Sequence, residues 1–106
     1  MKSITLKYIH CYIYKIFNRV SKLTIDERGT KWWQLPNCYL DREDGPAIEY
    51  NNGDKFWFIN GQRHREDSPA IEWNDGFKSW FLNDVEYTEQ EYKRKTRSRK
   101  LSKLLK

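Results

Sequence analysis

Residues 44–60, DGPAIEYNNGDKFWFIN, and residues 67–83, DSPAIEWNDGFKSWFLN, are one motif written twice at an offset of 23 residues. In the first copy, Pro46 to Tyr50 leads into Asn51-Asn52-Gly53-Asp54, whose Asn and Gly tolerate positive φ, and then into the aromatic run Phe56 to Ile59. In the second, Asn74-Asp75-Gly76 occupies the turn and Lys78 to Leu82 returns. Short β-branched and aromatic runs on both sides of such a turn predict a β-hairpin. Asn60-Gly61 and Asn83-Asp84 then turn the chain toward the next segment. Further out, Arg42-Glu43 matches Arg65-Glu66, and an eroded copy precedes both: Gly29, Lys31, Trp33 and Leu35 fall 24 residues before Gly53, Lys55, Trp57 and Ile59. Pro36 is the extra residue, because Asn37 returns to the 23-residue offset with Asn60.

Three units thus run from about Leu23 to Tyr87. Units that touch only their neighbours stack in one dimension and need caps. The predicted fold is mainly β with terminal helices, in which three 23-residue hairpin repeats form one elongated antiparallel meander sheet. The segments are 1–22, a basic amphipathic stretch; 23–87, the repeats; and 88–106, a basic helix. Alternation along a strand places Trp33 and Leu35, Trp57 and Ile59, and Trp80 and Leu82 on one face, read as the core stripe. The opposite face carries Trp32 and Gln34, Phe56 and Phe58, and Ser79 and Phe81. That face is too apolar for open water, so a terminal segment or a partner covers it.

The hairpin period with aromatic strands resembles MORN repeats. The run Trp57 to Ala70, WFINGQRHREDSPA, resembles more specifically the W-x-x-N-G-x-x-H-R-x-D-G-P-A repeat of many bacteriophage and giant-virus proteins. The likeness covers roughly residues 23 to 92 and departs from the pattern at Ser68, at Asp41 in place of the His, and in the eroded first unit. It implies a MORN-like meander, a binding scaffold with no chemistry of its own, and a phage accessory protein that acts on a host protein in the host cytoplasm. Inhibition of a defence enzyme is one form such action would take.

The chain of 106 residues, with 17 aromatics and a third of its residues charged, has room for one small domain with a thin core. Low Gly and Pro content excludes collagen-like and low-complexity classes. Net charge is +5, +5 from Met1 to Lys22, −6 from Leu23 to Tyr87 and +6 from Thr88 to Lys106. The basic ends, more than the acidic body, are the parts suited to polyanions. Cys11 and Cys38 form neither a disulfide framework nor a zinc pair, and both are read as reduced thiols in a cytoplasmic protein. No stretch approaches the ~20 apolar residues of a membrane span, and no cleavage site marks a signal peptide.

Thr88 and Glu91 have the spacing of a capping box and predict a helix from about Glu89. Lys93, Arg94, Lys95, Arg97, Arg99 and Lys100 are distributed around most of that helix, which makes it either a solvated tail or a nucleic-acid-binding segment. In the N-terminal run, Ile9, Ile13, Ile16 or Phe17, and Val20 have helical spacing, whereas Tyr8, Tyr12, Tyr14 and the β-branched residues favour a strand. The reading adopted is an amphipathic helix over one sheet face; docking on an anionic membrane is the functional alternative.

A catalytic site needs a nucleophile, a base and an orienting group. His64 near Glu66 and Asp67 is read as a loop histidine bonded to a carboxylate, and His10 as packed. The acids Asp41, Glu43, Asp44, Glu66 and Asp67 lack EF-hand spacing, and Arg42 and Arg65 are expected to pair with them. No catalytic residue, metal site or cofactor is expected. The residues assigned to protein binding are Trp32, Phe56, Phe58 and Phe81, whose acidic rim suits a basic patch on a partner.

Overall fold

A computed structural model describes residues 20–105. Over these residues the chain is mainly β, with a large antiparallel sheet and a single C-terminal helix. Strands β1 (Lys22–Ile25) and β2 (Lys31–Gln34) form the first hairpin, β3 (Ile48–Glu49) and β4 (Lys55–Phe56) the second, and β7 (Ile71–Glu72) and β8 (Lys78–Leu82) the third. With β9 (Val85–Tyr87) they make a seven-stranded sheet in the order β1-β2-β3-β4-β7-β8-β9. The expected amphipathic helix of residues 1–22 lies, up to residue 19, outside the described residues; Lys22 already belongs to β1.

The same two backbone bonds close all three hairpin turns. The amides of Asp26, Tyr50 and Trp73 donate to the carbonyls of Thr30, Asp54 and Phe77, and the amides of Gly29, Gly53 and Gly76 donate back to Asp26, Tyr50 and Trp73. The three glycines sit at φ of 86°, 100° and 96°, where a side chain is strained.

The aromatic strand of the second unit differs from the expectation of one continuous meander. It divides at Trp57: Lys55 and Phe56 stay in the large sheet, while β5 (Phe58–Ile59) pairs with β6 (Gln62–Arg63) in a separate two-stranded ladder. Trp57 joins the two, its amide donating to the Ala70 carbonyl and its own carbonyl accepting from His64 N–H. In the third unit β8 stays whole, its start paired with β7 and its end with β9.

Register separates the faces. Trp32, Ile48, Phe56, Ile71 and Ser79 lie directly opposite one another across five strands, and so do Lys31, Glu49, Lys55, Glu72 and Lys78. Opposed residues project to the same side, so one face carries an apolar row and the other an alternating Lys/Glu ladder. A slip of one residue would exchange the two rows, so this pattern pins the register.

The core differs in part from the predicted stripe. Its Leu35 and Leu82 are buried, whereas its Trp33, Trp57, Ile59 and Trp80 are only half-buried, and Ala47, Ala70, Ile71, Phe81 and Tyr92 are buried outside it. Ala70, Ile71 and Phe81 pack together with Phe56 and Trp57 against them. The two alanines are fully inaccessible, and their carbonyls accept the amides of Trp33 and Trp57. The reduced state expected for Cys38 is also corrected: it is bonded in a disulfide.

Helix α1 (Glu89–Leu104) begins as the sequence predicts. The Thr88 hydroxyl accepts the Glu91 N–H and the Glu91 carboxylate accepts the Thr88 N–H. Tyr92 alone among its residues is buried.

Candidate interaction surface

The half-buried tryptophans owe their cover to charged side chains. The Arg42 guanidinium lies 3.7 Å from the ring centre of Trp33, and that of Arg65 lies 3.8 Å from Trp57. Arg42 donates to the Pro46 carbonyl and pairs with Asp44 and Glu49; Arg65 donates to the Pro69 carbonyl and pairs with Asp67 and Glu72. The expected Arg–acid pairing is present. It holds each loop to its own hairpin, and the cation–π contact reaches the preceding one. At Trp80 no arginine follows, and the Tyr92 ring takes that place at 4.8 Å.

His64 has a role that its neighbours in sequence do not disclose. Its Nδ1 accepts the Asn83 N–H at 3.0 Å, as the Asp41 carboxylate accepts the Asn60 N–H at 2.9 Å. A backbone amide can only donate, so Nδ1 carries no proton and its lone pair is occupied; Nε2 stands 3.5 Å from Glu66. His64→Asp should therefore leave stability within about 0.5 kcal/mol of the parent, because Asp41 already serves beside Glu43, whereas His64→Ala should cost about 1 kcal/mol. Thermal melts of both variants check this.

Arg63 bonds the carboxylate of Asp84 at 2.6 Å and covers Phe81 at 4.4 Å. The Arg63 side chain and amide hold the Asp84 carboxyl below the usual carboxylate range. Asp84 thus contributes stability at neutral pH that is lost as acid protonates it. No trio of His, Cys, Asp or Glu among the described residues could hold a metal ion, and no described helix is long and apolar enough to cross a membrane.

The four aromatics assigned to binding are not equivalent. Phe81 is 4% exposed and belongs to the core; Trp32, Phe56 and Phe58 are half-buried, with Trp32 Nε1–H bonded to Gln34. Phe56 makes edge contacts with Tyr50 at 5.5 Å and Trp73 at 5.2 Å. Tyr50 and Trp73 stand two residues beyond Ile48 and Ile71, hence on the face of Phe56, and Phe77 stands two before Ser79 on that face. Tyr50, Trp73 and Phe77 are 42%, 40% and 72% exposed. The outer edge of this apolar row is therefore Tyr50-Trp73-Phe77, flanked by the turn carboxylates Asp54 and Asp75. Sequence reasoning passed over these three, although the aromatics before the two Asn-x-Gly turns share the 23-residue offset.

No match was found. Neither a family model, nor a curated protein, nor a solved structure matches this chain.

Proposed function

We propose that this protein is a non-enzymatic, MORN-like hairpin-repeat scaffold that binds another protein through the aromatic edge of its sheet. The observation that carries this reading is the exposed row Tyr50, Trp73 and Phe77, backed by Phe56 and Trp32. Contiguous exposed aromatics on a rigid support are the composition of protein interfaces. The adjacent carboxylates favour a partner whose apolar patch is ringed by Lys and Arg. Recurrence of the turn bonds and of the Arg–Trp stacks at spacings of 23 and 24 residues supports three repeats. Together with the resemblance to phage repeat proteins, this supports an accessory protein that modulates a host protein.

The test is affinity capture from bacterial lysate with the intact chain and a Trp73→Ala/Phe77→Ala variant. A protein retained by the parent at about 0.5 M salt, where exposed charge pairs are screened, and lost from the variant is the expected result. Equal retention by both chains sinks the reading. Both side chains are already 40% or more exposed, so the variant should fold.

A further inference from the structure

Helix α1 is held to the sheet by its first turn and carries cations on nearly every side beyond it. Tyr92 fixes that turn, with its ring against Trp80 and its hydroxyl donated to the Arg65 carbonyl. Of the cations that follow, Lys93 pairs with Glu89, Lys103 with Glu66, and Lys95 lies over the Tyr87 ring. Among the described residues Arg94, Arg97, Arg99 and Lys100 make no ion pair, and four unneutralised charges fall within seven residues. At 3.6 residues per turn, Arg94 and Arg97 point about 200° and about 140° around the helix from Tyr92, away from the sheet; Lys100 lies at the flank, at about 80°, and Arg99, at about 340°, faces the side of Tyr92, beside Glu66. The body of residues 23–87, with its net charge of −6, lies on the other side.

This arrangement selects among polyanions. A helix that lies on a lipid surface needs one apolar face to bury, and α1 has none: its charges surround it, and Leu101 and Leu104 stand exposed only in its last turn. A single-strand binder needs exposed rings for stacking bases, and the one aromatic residue of α1 is buried. A helix charged on all sides fits instead between two phosphate walls. The major groove of B-form DNA, about 12 Å wide, admits one, whereas that of duplex RNA is too deep and narrow. We propose that α1 binds double-stranded DNA without sequence preference, Arg94 and Arg97 on its outward face and Lys100 at its flank contacting phosphates while the acidic body is turned away. This function is separate from the aromatic edge and does not depend on it.

Fluorescence anisotropy with a generic DNA duplex of about 20 base pairs, from about 50 to 200 mM salt, tests the proposal with three full-length chains: the parent, R94Q/R97Q/K100Q, and K31Q/K55Q/K78Q. Gln preserves helix propensity, and the third chain removes the same charge from the sheet ladder instead. The parent should bind with a slope of log K against log salt that is steeper than that of the helix variant by about 2.7, which is an extra loss of affinity of about fortyfold over this salt range. The ladder variant should keep the parental slope. Absence of duplex binding at low salt, a slope undiminished in the helix variant, or an equal loss in the ladder variant would each overturn the assignment.

Discussion

Tyr92→Ala is expected to lose about 4 kcal/mol of folding stability and to detach α1 from the sheet. Tyr92 is 2% exposed, and truncating a buried aromatic costs about 3–5 kcal/mol through lost transfer energy and the cavity left behind. Two further losses fall at the same spot. The Arg65 carbonyl loses the phenolic donor, and Trp80 loses the ring that covers it as arginines cover Trp33 and Trp57. A domain of this size has only about 5–15 kcal/mol in total, so the variant should be obtained folded only at low temperature. Tyr92→Phe keeps the ring and should cost only about 1 kcal/mol.

The phenol adds a signature in pH. Burial pushes its pKa up to about 12 from an ordinary 10.0. An unfolded chain would release this proton near pH 10 while the folded chain keeps it. Stability contributed by Tyr92 is therefore complete below pH 10 and declines as pH rises from 10 toward 12. Tyr92→Phe should remove that part of the alkaline decline. Urea melts of parent and variant at neutral pH and near pH 11 measure it; identical alkaline declines in both would refute the placement of Tyr92.

Phe81→Ala is expected to cost a similar 3–5 kcal/mol, again as lost core. Phe81 packs on Ala70 and Ile71, and its far side is closed by the Arg63 guanidinium, which is itself held by Asp84. Removal of the ring leaves a cavity under an ion pair that cannot follow it inward. In urea melts the midpoint should fall with little change in slope. Phe77→Ala, by contrast, should change stability by no more than about 0.5 kcal/mol, because that ring is 72% exposed. If Phe81→Ala melted like Phe77→Ala, the packing of this face would be refuted. The pair separates a structural ring from an available one on the same side of the sheet.

Much of the molecule was legible from residue order alone. The Asn52-Gly53 and Asp75-Gly76 turns fix two hairpin positions because few residues accept φ near 100° at Gly53 and Gly76. The capping box located the start of α1 because both its bonds are made within four residues of one another. The pairings of Arg42 with Asp44 and of Arg65 with Asp67 were likewise local, two residues apart; those with Glu49 and Glu72, seven residues on, were not foreseen. Period-two alternation correctly separated Trp57 from Phe56, since successive strand residues point to opposite sides.

Only the tertiary structure decided which of those sides is buried, and how deeply. Alternation predicts a face but not the depth of cover, which depends on what returns over it from elsewhere in the chain. Arg63 closes over Phe81 from the separate β5–β6 ladder, and Tyr92 reaches Trp80 from twelve residues on. Loops bring guanidinium groups onto Trp33 and Trp57, so these tryptophans are half-covered, whereas Leu82 on the Trp80 side and Phe81 on the other are both core. His64 shows the same limit: its bond to the Asn83 amide spans 19 residues, a distance at which composition and spacing carry no information about who meets whom.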